Sequence, residues 1–207
     1  MGTLLISAMS RIHHCLSLLL LCSPLARAEI DWTPRFLVTQ AEGIQIRRLY
    51  FADGAKKYAT AFDSETSARA DAGGARFAYE KVPSAVFTIH PQTPPIALPA
   101  DEKLLAEYRK LALACAPEKA TDFQLIEEVP DALPINRWQS LRFIFTYNLY
   151  GHRKQHCVTF LTLPNGKQAR LETTALDKEF GQAQARSEYI IRSWHELASS
   201  DLASDAN

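Results

Sequence analysis

The stretch from residue 139 to residue 175 constrains the fold more than any other, because it carries the two-residue rhythm of β-strands three times over. In Gln139–Tyr147, the side chains of Leu141, Phe143, Phe145 and Tyr147 fall on one face and those of Arg142, Ile144 and Thr146 on the other. A turn through Gly151 leads into Arg153–Leu163, with Cys157 and Leu161 on one face and Val158 and Phe160 on the other. Apolar residues on both faces mark an interior strand enclosed from two sides. Pro164-Asn165-Gly166-Lys167 signals another turn, and Gln168–Ala175 returns. Three consecutive strands joined by such short turns pair antiparallel.

The rest of the chain supplies the other elements. Ile44, Ile46 and Tyr50 keep the strand rhythm, Arg47-Arg48 interrupts the apolar run, and Asp53-Gly54 turns the chain into a returning strand at Lys57–Phe62. Asp-Gly suits a hairpin because both residues tolerate positive φ. Ser64–Gly74 is small and polar and reads as a loop, while Ala75–Tyr79 and Ala85–His90 read as short strands around Pro83. Four of the eleven prolines lie in Pro91–Pro99, which forbids a helix there and predicts an extended connection.

Asp101–Ala116 predicts a helix with Leu104, Leu105, Tyr108, Leu111, Ala112 and Cys115 on one face. Asp101 and Glu102 complement its dipole, and Pro117 ends it. Asp122–Glu128 reads as a strand and Pro130–Pro134 as a turn. Glu179–Leu197 predicts a closing helix whose buried stripe runs through Phe180, Ala183, Ser187, Ile190, Ile191, Trp194 and Leu197. Residues 29–40, with Trp32 and Pro34, form a lead-in that either lies over the sheet or stays loose, and 199–207 form a tail without apolar pattern. The pattern describes a single α+β domain over residues 41–198, an antiparallel β-sheet covered by helices on one face or both.

The first 28 residues have the layout of a cleavable secretory signal. Arg11, His13 and His14 are basic, Leu16–Cys22 is apolar, and Leu25-Ala26-Arg27-Ala28 presents a cleavage site ending at Ala28. The apolar run is well short of the roughly 20 residues that span a bilayer, so a periplasmic or secreted protein is expected, with no transmembrane segment in the mature chain. Met9-Ser10-Arg11 offers an alternative start. Leu20-Leu21-Cys22 is a poor lipoprotein box, because Leu21 stands where a small residue is wanted, and Ile6 breaks the myristoylation pattern after Met1-Gly2.

Chemistry is sparsely signalled. Of 23 basic and 23 acidic residues the leader takes only Arg11 and Arg27, leaving the mature chain at −2, with no bulk attraction to nucleic acid or anionic lipid. The remaining cysteines, Cys115 and Cys157, are read as a disulfide in an oxidising compartment or as two buried thiols. The bond would stabilise the fold by roughly 4 kcal/mol through loop entropy. His152 and His156 are four residues apart on a strand, about 13 Å, too far to share an ion. The Trp194-His195-Glu196 run places His195 and Glu196 on the solvated side of the last helix, and His90 has no partner by spacing.

No nucleophile elbow, phosphate loop or zinc motif occurs, and no catalytic, cofactor-binding or metal-ligating residue is assigned. Arg137, Arg142, His152, Arg153, Lys154, Lys167 and Arg170 cluster in the second half, either as ordinary solvated strand residues or as a weak anion-binding patch centred on Arg142, His152, Arg153, Lys154 and Arg170.

Three runs resemble bacterial proteins of the Mog1/PsbP-like group. They are Arg142-Phe143-Ile144-Phe145-Thr146-Tyr147, Cys157-Val158-Thr159-Phe160-Leu161-Thr162-Leu163-Pro164-Asn165-Gly166, and Phe180 with Ile190-Ile191-Arg192-Ser193-Trp194-His195. The resemblance spans roughly the last 70 residues and rests on core and turn positions. It implies an α/β/α sandwich around an antiparallel sheet. It also implies a binding or assembly role rather than a shared active site, since one class of that group accompanies a photosynthetic complex and another binds a small GTPase. A noncatalytic accessory protein acting on an unknown protein or small ligand is therefore expected. A small hydrolase whose site only the fold assembles, or an envelope factor lipidated at Cys22, are the alternatives.

Overall fold

The three alternating segments form consecutive strands at the centre of the molecule. The computed structural model describes residues 30–198 apart from 42–43, 134–137 and 164–165. In chain order the elements are β1 (Asp31–Ala41), β2 (Ile44–Asp53), β3 (Lys56–Ala61), β4 (Thr66–Asp71), β5 (Gly74–Tyr79), β6 (Val82–Pro91) and α1 (Glu102–Leu113). They continue with β7 (Thr121–Pro130), β8 (Ser140–Leu149), β9 (His152–Thr162), β10 (Gln168–Leu176), a 3₁₀ turn (Asp177–Glu179), α2 (Phe180–Arg192) and β11 (His195–Glu196).

Two antiparallel sheets result. The larger has seven strands in the order β4-β5-β6-β10-β9-β8-β7, and the smaller has four in the order β1-β2-β3-β11. Strand alternation sorts the side chains of β8 into two clusters. Leu141, Phe143, Phe145 and Tyr147 pack with Val158 and Phe160 and with Tyr108 and Ala112 of α1. Ile144, from the other face, joins Cys157, Leu161 and Leu171 and the α2 residues Phe180, Ala183, Ile190 and Ile191. The two helices thus pack against opposite faces of the central strands. Full burial of each such aromatic or aliphatic side chain is worth about 1.5–3 kcal/mol.

Local signals explain where several elements begin and end. Asp101 caps α1, its carboxylate accepting from the Leu104 N–H at 2.9 Å. Gly54, at φ +59°, turns β2 into β3. Gly74 starts β5 because a Cβ there would lie 2.2 Å from the Ile89 carbonyl oxygen.

The structure departs from the sequence expectations in three places. The lead-in is neither loose nor a simple cover, since it forms β1, with an irregular register between Asp31 and Arg35. The polar stretch 64–74 contains β4, an edge strand whose alternation of Ser67, Ala68, Arg69 and Ala70 is too weak in apolar content to read as one. The closing helix stops at Arg192 instead of Leu197. Trp194 is drawn between Trp32, Phe51 and Tyr58, and the next two residues pair with β3 as β11. The Ala61 N–H and the Thr60 hydroxyl meet the Ser193 hydroxyl at this helix end, each at 2.8 Å.

Candidate functional site

The anticipated cationic patch is not assembled, because alternation sends its members to opposite faces and carboxylates pair with its arginines. Arg142 faces α2, where the residue is only 9% exposed and its guanidinium sits 2.9 Å from Glu188. Arg170 lies on the α1 face and binds Glu172 at 2.7 Å. Arg153 donates to Thr146 (2.9 Å) and Gln124 (3.1 Å) and lies 3.8 Å from Asp177. His152 is exposed at the start of β9, and Lys154 pairs across strands with Tyr147 and Leu176. Lys167 is 2.7 Å from Asp53, and Arg137 lies outside the described residues.

The cysteines are free thiols. Cys115 packs in the α1 cluster and Cys157 in the α2 cluster, so the sheet separates them and the disulfide considered from the sequence is not formed here. Burial, with Glu172 nearby, pushes the Cys115 thiol up to about 12, and burial pushes Cys157 up to about 11. Both are therefore held as thiols, the unreactive form.

On the α1 face the sheet brings together a histidine, a carboxylate and a guanidinium. His156 is 2% exposed, its ring centroid lies 5.0 Å from that of Phe145, and its Nε2 lies 3.2 Å from Glu172 Oε2. Neither ring nitrogen makes a well-aligned hydrogen bond among the described residues, so the contact is close without being directional. Burial pushes the Glu172 carboxyl up, but His156 and Arg170 outweigh it, and the group titrates below the ordinary glutamate range. With His156 buried and the neighbouring Cys115 held protonated, this trio cross-links β9 and β10.

The remaining histidines stand apart. Burial holds His90, opposite Arg170 on β6, below its ordinary value, and His195 places Nδ1 2.8 Å from the Ser193 carbonyl oxygen. Among the described residues no group of three or more His, Cys, Asp and Glu could hold a metal ion, and no helix is long and apolar enough to cross a membrane.

The two sheets leave a cavity of about 270 Å³ at their seam, lined chiefly by Trp32, Pro91, Gln92, Thr93, Pro95 and Lys167. Its walls are fixed by internal bonds. Gln168 clamps Ile96 from both sides, accepting its N–H and donating to its carbonyl, each at 2.7 Å. Gln92 donates from Nε2 to the Pro94 carbonyl at 2.9 Å, and the Lys167–Asp53 contact ties the β9–β10 turn to β2. Gln92 Oε1 is buried without a hydrogen-bond partner among the described residues. With Lys167 and Gln168 engaged and Trp32, Pro91 and Pro95 as walls, the cavity still suits an apolar or aromatic group better than a reaction. Sequence spacing could not find it, because the chain brings its walls together from four distant segments. The proline run and Trp32 were its only separate signals.

No protein-family model matches the chain, and no curated protein matches it. Among solved structures it is similar to the Ran-binding protein Mog1p of Saccharomyces cerevisiae (9% identity, 82% of this chain and 99% of that one, TM-score 0.45). It is also similar to the cyanobacterial PsbP of Synechocystis (9% identity, 68% and 86%, TM-score 0.46). A Pseudomonas aeruginosa protein of unknown function is a further neighbour (10% identity, 80% and 99%, TM-score 0.43). Each likeness is one of chain course, and no residue role passes from it. The group met in this comparison is the Mog1/PsbP-like one that the last third of the sequence resembles.

Proposed function

We propose that the chain is an exported, noncatalytic binding or accessory protein that receives an apolar group of a ligand or partner in the cavity at the seam of its two sheets. In this reading residues 1–28 are a leader removed after Ala28, which leaves the protein in the periplasm or outside the cell. Residues 30–198 form one domain, in effect an α/β/α sandwich with α1 and α2 on the two faces of the larger sheet. The observation that carries the reading is the cavity itself, open, walled by Trp32, Pro91 and Pro95, and held in shape by the Gln168–Ile96 clamp. The protonated thiols and the His156–Glu172 pair support a binding role over a hydrolytic one.

The test is a titration of the secreted protein with the neutral fluorescent probe N-phenylnaphthylamine, following energy transfer from tryptophan. Saturable binding that Thr93→Phe abolishes supports the cavity, and binding that the substitution leaves unchanged removes it. Intact mass of the mature chain decides the anchoring alternative. A start at Glu29 fits a free exported protein, and a diacylated Cys22 replaces that with a lipid-anchored one.

A further inference from the structure

We infer that the groove between β2, the end of β3 and α2 is a binding site for a phosphate group, with Arg47 and Arg48 as its principal ligands. The groove has a volume of about 340 Å³ and is lined by Arg47, Arg48, Phe62, Asp63, Tyr189 and His195, among others. Arg48 pairs with Ala61, where β3 stops. Consecutive strand residues point to opposite faces, so Arg47 and Arg48 enter the lining from the two sides of β2.

The electrostatics set this pair, with the isolated Arg69 of β4, apart from the other described arginines. Most described arginines face a carboxylate, as Arg142 does Glu188 and Arg170 does Glu172. Arg47 and Arg48 have no ion-pair partner among the described residues, and the nearest acid in the lining is already engaged. Asp63 accepts from the Thr66 hydroxyl (2.7 Å), the Glu65 N–H (3.0 Å) and Arg186 (3.4 Å). The Arg47 guanidinium lies 4.1 Å from the centroid of Phe36 and 5.3 Å from that of Phe62, and those two rings meet edge-on at 5.1 Å. Stacking on aromatic faces fixes the guanidinium plane and leaves its N–H edges unspent. A planar fork of that kind matches two phosphate oxygens at once, which a flexible ammonium does not.

The surroundings bear on where the phosphate comes from. Phe36 and Val38 on β1 and Ile46 on β2, the strand that carries Arg47 and Arg48, are 41%, 51% and 38% exposed. Apolar side chains beside unpaired cations are the composition that enters the headgroup region of an anionic membrane. The phosphate is therefore either a lipid phosphodiester or a free ion, and the experiment separates the two.

The secreted protein is titrated calorimetrically with inorganic phosphate and floated with phosphatidylcholine vesicles with and without phosphatidylglycerol, at low salt. Binding to free phosphate, or to the anionic vesicles alone, identifies the source. In either case R47Q/R48Q lowers affinity by about tenfold or more while R69Q, an exposed control on β4, leaves it unchanged. Arg47→Lys, which keeps the charge but not the fork, falls between them. An unaltered melting temperature shows that the double variant folds. Absence of binding in both arms, or equal binding by R47Q/R48Q and the parent, overturns the assignment.

Discussion

Trp194→Ala is expected to destabilise the protein by about 4 kcal/mol, because this ring joins the small sheet to the body of the fold. Trp194 is 4% exposed. It stacks on Phe51 at 5.5 Å and on Tyr58 at 6.2 Å, and meets Trp32 at 6.1 Å. Those partners come from β1, β2 and β3, whereas Trp194 follows directly from α2, which packs on the large sheet. Truncating a buried tryptophan to alanine costs about 3–5 kcal/mol through lost transfer energy and a residual cavity. The three ring pairs, each worth about 0.5–1.5 kcal/mol, place the value in the upper part of that range without adding in full. A domain stability of about 5–15 kcal/mol would lose a large fraction. Urea unfolding followed by far-UV circular dichroism measures the change as a displaced midpoint at constant slope. Trp194→Phe, which keeps a ring against Phe51, should lose roughly half as much. A loss below about 1 kcal/mol for the alanine variant would show that the seam is held by something other than these rings.

Other expectations follow from single contacts. Gly74→Ala places a Cβ against the Ile89 carbonyl oxygen and should cost about 1–3 kcal/mol, and an unchanged melting temperature would contradict the tight β5–β6 approach. Glu172 is held below its ordinary value, so its stabilising effect is full above the unfolded glutamate pKa of about 4.3 and is lost as pH falls through the lower folded value. Glu172→Gln should therefore flatten the acid limb of a stability–pH curve, and an unchanged limb would refute its pairing with His156 and Arg170. Alkylation of the mature chain after non-reducing denaturation should modify both Cys115 and Cys157, and a blocked pair would contradict their separation by the sheet.

The central meander could be read from sequence because β8 and β9 are apolar on both faces, as in Phe143 beside Ile144 and Val158 beside Cys157. A signal of that kind vanishes at an edge. β4 needs only small residues such as Ala68 against the core, so its sequence resembles a loop. The end of α2 departs from its sequence pattern for a different reason. Trp194 and Leu197 continue the helical stripe, yet each is buried in a separate cluster that the turn after Arg192 makes reachable. The charges in the second half of the chain are neighbours in sequence, whereas strand alternation and carboxylate partners disperse them in the fold. Arg47-Arg48 carried the opposite lesson. In sequence the pair was only an interruption of an apolar run, and its significance depends on where β3 stops and on Phe36 and Phe62 arriving from other segments.

The pairing of β11 with β3 means that the small sheet is built from both ends of the domain. Lys56 and Glu196, 140 positions apart, meet at 2.9 Å across that junction. Closing so long a loop carries a large entropic penalty before any contact repays it. During synthesis the β1–β3 hairpins therefore emerge early but keep an open margin until the last residues of the domain arrive. A nascent chain halted within α2 would present β3 unpaired on one side, available to any other strand that reached it first.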